Sequence, residues 1–211
     1  VAAGVAQLGR LTRLNLSKNA LMDQGTRQLS DAIGGLAALT SLDLSVNRIE
    51  PGTAEVLAKA LERLPDLREL RLSYNSLGDA GVAALLGAAG LHKLATLDLS
   101  ANQLSSGAAE TLAKSLEKMA EMRELLLGLN RIGNADVESL VAAGACRRLT
   151  LLDLSSNDLS GGAWATLAAA LDKMPDLRTL TLKRMRADLG AWALAESMLP
   201  RATSLEMRSD G

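Results

Sequence analysis

The nine residues LTSLDLSVN, Leu39–Asn47, decide the architecture because they return twice. They recur as LATLDLSAN at Leu94–Asn102 and as LTLLDLSSN at Leu149–Asn157, each copy 55 residues after the last. The looser frame LxxLxLxxN also begins at Leu11, Leu67 and Met122, and at Leu177 with Met185 in place of the asparagine. Start-to-start spacings run 28, 28, 27, 28, 27 and 28 residues, so from Leu39 onward two unit lengths alternate and sum to the 55-residue interval. A shortened copy carrying Leu205 and Met207 closes the series. A fixed period of this size marks a tandem array. All of 1–211 therefore reads as one repeat domain, with a partial helix over 1–10, units starting at 11, 39, 67, 94, 122, 149 and 177, and a partial capping strand over 202–208.

Each unit changes its hydrophobic period midway. In LDLS the apolar residues alternate (Leu42 and Leu44, Leu97 and Leu99), which predicts a short strand with one buried face. In the stretch after the asparagine, Val56, Leu57, Leu61 and Leu64 recur at helical spacing, with Glu55 and Lys59 forming an i,i+4 pair on the other side. Gly25, Gly52, Gly81, Gly107, Gly162 and Gly190 are read as turns just before the helical halves, and Pro65 and Pro175 as stops. A lone strand–helix unit cannot cover both of its apolar faces, so the units must stack. Helices are wider than the ~4.8 Å spacing of strands, so the stack must curve with its parallel strands inside. Val1, Val5 and Leu8 align with Leu57, Leu61 and Leu64, so the chain is expected to open inside the helix of a preceding unit, as a fragment of a longer array would.

The asparagine column (Asn19, Asn47, Asn75, Asn102, Asn130, Asn157) follows each strand, where backbone groups lose their ladder partners. A carboxamide both donates and accepts, so it can satisfy two neighbouring coils at once. Removing one is expected to cost roughly 1–3 kcal/mol. Six in register are structural, not catalytic.

This pattern resembles the leucine-rich repeats of the ribonuclease-inhibitor type, whose 28–29-residue units also alternate in two lengths, and the resemblance runs from Leu11 to Leu182. It implies an α/β horseshoe, a right-handed β-α superhelix with a parallel sheet on the concave side and full helices on the convex side. It also implies an intracellular setting. The chain departs from ribonuclease inhibitor by using Asn where that protein alternates Asn with Cys, so the fold is carried over and ribonuclease inhibition is not.

Composition narrows the function. The chain is 48% hydrophobic with 23 basic and 24 acidic residues, which supplies a core and lacks the basic excess usual in nucleic-acid binders. Uncharged stretches such as Ala80–Leu91 fall short of the ~20 apolar residues that cross a bilayer, and no signal peptide precedes the first unit. The single cysteine, Cys146, aligns with core positions and fits a reducing compartment. With one histidine (His92, in an inter-repeat turn) and one cysteine, no nucleophile–base pair or Cys/His metal cluster can form. No enzyme activity, cofactor or metal is expected.

Residues free to act lie on the alternate strand positions that face the concave side. One column reads Asn15, Asp43, Arg71, Asp98, Leu126, Asp153, Thr181 and Glu206, and the column two earlier reads Arg13, Ser41, Glu69, Thr96, Glu124, Leu151, Thr179 and Ser204. Arg71 between Asp43 and Asp98 reads both as a cross-strand charge ladder and as an acidic patch offered to a basic partner. Leu126, Leu129 and Leu151, beside Gly128, stand where other units place polar residues and read as an apolar binding patch. Lys183, Arg184, Arg186 and Arg208 cluster near the C-terminal end, and Tyr74 is expected on the concave rim. Trp164 and Trp192 occupy equivalent positions and are expected to pack together at helix starts. The candidate partner-binding set is thus Asp43, Arg71, Tyr74, Asp98, Leu126, Leu129, Leu151, Asp153, Lys183 and Arg184. The expected function is a non-enzymatic scaffold that binds another protein. The resemblance offers two alternatives: a GTPase-activating protein of the Ran type, with Arg48 and Arg131 as imaginable contacts, or a ligand-sensing array cut from a larger immune receptor or effector.

Overall fold

The computed structural model describes residues 9–142, 145–184 and 204–208. Residues 1–8 of the expected first helix, together with Met185, Arg186, Gly190 and Trp192, lie outside the described residues, as do the side chains of Glu206 and Arg208. Gly9 and Arg10 form a turn, so the helix expected over 1–10 does not reach them.

Eight parallel strands form one sheet in strict chain order: β1 (Arg13–Asn15), β2 (Ser41–Asp43), β3 (Glu69–Arg71), β4 (Thr96–Asp98), β5 (Glu124–Leu126), β6 (Leu151–Asp153), β7 (Thr179–Lys183) and β8 (Ser204–Arg208). Six helices alternate with the first seven strands: α1 (Met22–Ile33), α2 (Pro51–Leu61), α3 (Gly78–Leu86), α4 (Ser106–Leu116), α5 (Asn134–Ala142) and α6 (Gly161–Ala170). Each strand pairs with the next at the equivalent residue, as in Leu42↔Leu70↔Leu97↔Leu125↔Leu152, so equal positions stack into columns. The helices pack in the same succession, each against the next.

The core is a stack of leucine layers. Leu42, Leu44, Leu70, Leu72, Leu97, Leu99, Leu125 and Leu127 are buried on the strand side and Leu57, Leu61, Leu85 and Leu112 on the helix side. Trp164, in the first turn of α6, and Cys146 are buried among them. His92 is exposed, its ring nitrogen 3.1 Å from the Ala89 carbonyl. The i,i+4 ion pair expected at Glu55 and Lys59 is found instead at the equivalent residues of the next 55-residue interval, Glu110 and Lys114, 2.6 Å apart and exposed.

The asparagine column does what its chemistry predicts. Asn75 Oδ1 accepts the N–H groups of Asn47 (3.1 Å) and Ile49 (2.9 Å), while its Nδ2 donates to the carbonyls of Leu44 (3.1 Å) and Leu72 (2.9 Å). Asn47, Asn102, Asn130 and Asn157 are buried in the same role, and no buried side-chain polar atom among the described residues lacks a partner. Asn19, at the start of the stack, is exposed; its side-chain amide donates to Leu16 and Ser17 of its own unit, and its backbone N–H donates to Asn47 Oδ1.

The glycines correct an expectation. Gly25, Gly52, Gly81, Gly107 and Gly162 lie inside the first helical turns, not before them, and none has a left-handed backbone. At two of them the reason is room. Asp79 of α3 reaches into the next unit and accepts the Ser105 backbone N–H (2.8 Å) and hydroxyl (2.5 Å), just before α4. A Cβ on Gly107 would stand 2.9 Å from that carboxylate. One interval on, Asn134 accepts the Ser160 N–H (2.9 Å) and donates to its hydroxyl (2.8 Å), and a Cβ on Gly162 would stand 2.8 Å from the Asn134 amide. Every second unit therefore holds the start of the following helix, which repeats the 55-residue interval on the convex side.

A concave sheet with an apolar rim

The chain must leave each strand and turn toward the helix while keeping its ladder bonds. It does so through a residue in the left-handed region just before the asparagine position: Lys18, Val46, Tyr74, Ala101, Leu129, Ser156 and Arg184, with φ between 54° and 60°. Left-handed backbone costs an L-residue roughly 1–2 kcal/mol, and a β-branched residue such as Val46 is a genuine outlier there. From Lys18 to Ser156 the geometry is held because each of these N–H groups still bonds a carbonyl of the next unit, as in Val46 to Ser73 (2.8 Å), Tyr74 to Ser100 (2.9 Å), Ala101 to Gly128 (2.8 Å) and Leu129 to Ser155 (2.8 Å).

The same backbone directs these side chains outward in one row along the rim. Tyr74 is 56% exposed, Leu129 42% and Val46 40%. With Met22 they are the large hydrophobic side chains classed as exposed among the described residues. Four successive units thus carry Val46, Tyr74, Ala101 and Leu129 in a row about 14 Å long at the usual strand spacing. Lys18 precedes this row and Ser156 and Arg184 follow it. Tyr74 and Leu129 are among the sequence candidates; Val46 and Ala101 are not. Their shared signal is only their place before the asparagine.

The register sets the neighbouring columns on the sheet. Asp43, Arg71, Asp98, Leu126 and Asp153 stand side by side on β2 to β6, with Ser41, Glu69, Thr96, Glu124 and Leu151 in the parallel column. The ladder expected from Arg71 to Asp43 and Asp98 is not what forms. Arg71 Nε donates to Glu69 Oε1 at 2.6 Å, two residues back on the same strand and the same face. Partial burial pulls the Arg71 guanidinium pKa down, but the bond to Glu69 and the charges of Glu69, Asp43 and Asp98 outweigh it and leave it above the ordinary value. The aspartates turn to the backbone instead. Asp43, Asp98 and Asp153 each accept the N–H two residues on, from Ser45 (2.9 Å), Ser100 (3.0 Å) and Ser155 (2.9 Å). Asp43 also accepts from the Asn15 amide at 3.1 Å.

The leucine patch is likewise redistributed. Leu126 is half-buried between Asp98 and Asp153, and Leu151 is half-buried between Glu124 and Thr179. The two are diagonal neighbours on adjacent strands, each paired directly with a carboxylate, and Leu129 belongs to the rim row rather than to the sheet. Leu125 and Leu127 are buried, so LLLGLN has the register of the other units. Lys183 and Arg184 are exposed at the far end, two units beyond Leu129. Arg48 and Arg131 are exposed beside the asparagine column. A rim hollow of about 360 Å³ is lined by Ala101, Gln103, Leu129, Asn130, Arg131 and Ser156. Among the described residues, no group of three His, Cys, Asp or Glu side chains is placed to hold a metal ion, and no helix is long and apolar enough to cross a membrane.

These features define a leucine-rich-repeat horseshoe. Residues 63–86, which take in the end of one unit and the strand and helix of the next, match the family model described as Leucine Rich repeat. Among solved structures, the chain is similar to an internalin from Listeria monocytogenes, with a TM-score of 0.61 and 19% sequence identity over 98% of this chain and 58% of that one. It thus spans less than two thirds of the internalin's length. Comparison with curated proteins found no match.

Proposed function

We propose that this chain is a non-enzymatic protein-interaction scaffold that holds a protein partner against its concave sheet and the adjoining rim. The observation that carries the reading is the rim row. Val46, Tyr74, Ala101 and Leu129 are kept apolar or small, in outward-facing positions, on a backbone conformation that Asn or Gly would adopt at lower cost. Exposed apolar rows beside polar surface mark interfaces. A stacked sheet is already ordered, so a partner docking on it meets little loss of conformational freedom in the scaffold.

Two further features accompany this reading. The alternating 28- and 27-residue units with helices of 9–12 residues support the ribonuclease-inhibitor type of repeat. The buried thiol of Cys146, the single cysteine of the chain, suits a reducing intracellular compartment.

The test is affinity capture from the source cell with wild type and a Tyr74→Ser, Leu129→Ser variant, each checked by circular dichroism. A partner held by wild type and lost from the folded variant supports the reading. A partner held equally by both moves the interface off the rim.

A further inference from the structure

We propose, building on that scaffold reading, that the partner segment is a basic amphipathic helix that crosses the strands, its apolar edge on the Val46–Tyr74–Ala101–Leu129 row and its cationic face on the sheet beside it. Charge complementarity identifies the occupant. On β2 to β6 the outward positions hold five carboxylates (Asp43, Glu69, Asp98, Glu124, Asp153) and one guanidinium, Arg71, which is already bound to Glu69. That face therefore carries −4 while the whole chain carries −1, so the remainder of the molecule is +3. The negative charge is concentrated on the sheet beside the apolar row; Lys18 precedes the row, Arg184 lies one unit beyond Ser156, and the exposed cations Arg48 and Arg131 follow Val46 and Leu129 by two residues on the loop side. A segment whose cationic face is turned to the sheet, away from Arg48 and Arg131, is thus favoured over the middle units.

Spacing separates a helix from an extended strand. Asp43, Asp98 and Asp153 sit on alternate strands, so they recur every ~9.6 Å along the groove at the usual interstrand distance. An extended segment places side chains on one face only every second residue, at about 6.8 Å or about 13.6 Å, and misses that interval. A helix returns to the same face after seven residues, a rise of about 10.5 Å, and its apolar residues three and four apart rise about 4.5–6 Å, close to the ~4.8 Å pitch of the rim row. One helical segment therefore meets both rows together. The three aspartates are prepared for it, since each has one oxygen tied to a backbone N–H and its carboxylate held in a fixed direction. The footprint from β2 to β6 covers about 19 Å, or roughly 13 residues of helix.

The experiment is a display selection of 15-residue helical peptides, randomised on one face, against the intact chain. Affinities of the selected peptides are then measured by fluorescence anisotropy at 0.05 and 0.5 M salt. The expected winners carry Lys or Arg at seven-residue intervals with an apolar flank. They weaken about tenfold on Asp98→Asn with Asp153→Asn at low salt, and the difference shrinks at high salt. They weaken by about tenfold or more on Tyr74→Ser with Leu129→Ser. Winners that are acidic or uncharged, or that ignore the aspartate variant while still needing Tyr74 and Leu129, overturn the basic helix and leave the scaffold reading in place. Winners indifferent to both variants, or a selection that yields no binder, overturn both.

Discussion

Truncating Asn130 to alanine measures the asparagine column directly. Its Oδ1 accepts the backbone N–H groups of Asn102 (2.9 Å) and Leu104 (3.0 Å), and its Nδ2 donates to the carbonyls of Leu99 (3.1 Å), Leu127 (3.0 Å) and Gly128 (3.2 Å). Asn130→Ala leaves two buried N–H groups without acceptors, at about 1–3 kcal/mol each, which gives about 2–6 kcal/mol before any cost at the carbonyls. That exceeds the roughly 1–3 kcal/mol anticipated from the sequence, because the carboxamide oxygen alone serves two buried N–H groups. Asn19 is the internal control: it is exposed and its side-chain amide donates to Leu16 and Ser17 of its own unit, while the backbone N–H that it gives to Asn47 survives truncation, so Asn19→Ala is expected to cost less than ~1 kcal/mol. The assay is thermal and urea unfolding of both variants, with a shift of about 2–4 °C per kcal/mol for a chain of this size. An Asn130→Ala variant no less stable than Asn19→Ala would refute the view that the ladder bridges units.

The rim residues pit stability against binding. Val46→Asn is expected to stabilise the fold by about 0.5–1 kcal/mol, since Asn tolerates the left-handed backbone, while weakening the captured partner; a stability loss in urea melts would contradict the strain argument. In the strand LLL, Leu127→Ala should cost roughly 2–5 kcal/mol as a fully buried truncation. The half-buried Leu126→Ser should cost under ~1 kcal/mol, so equal losses in the two melts would mean the register is wrong. Burial pushes the Cys146 thiol up to about 12 from its ordinary 9.0. Because the folded value is the raised one, the stability from keeping the thiol neutral is fully present below pH 9.0 and declines as pH rises toward 12. The slope approaches about 1.4 kcal/mol per pH unit above about pH 10, and Cys146→Ala should lack that loss in urea melts between about pH 9 and 11.

What the sequence by itself determined is everything that follows from recurrence. The leucines of LxxLxL and the asparagines return at the same place in unit after unit, with Met122 and Met185 as the exceptions, so their burial and their hydrogen-bonding role could be read before any contact was known. Only the tertiary structure decided what the varying residues do. Lys18, Val46, Tyr74, Ala101, Leu129 and Ser156 share no chemistry, so nothing in their identities shows that they form one row; a common left-handed φ, imposed by the ladder bond each N–H makes to the next unit, aligns them. Arg71 had Glu69, Asp43 and Asp98 all within reach on one face, and the choice of Glu69 rests on side-chain geometry that spacing cannot rank. The glycines beside Asp79 and Asn134 looked like turns because glycine permits them, yet they are required by close approach between units 26 residues apart. Periodicity specifies which atoms stack; the stack, once formed, decides which of the remaining side chains are turned outward and whom they meet.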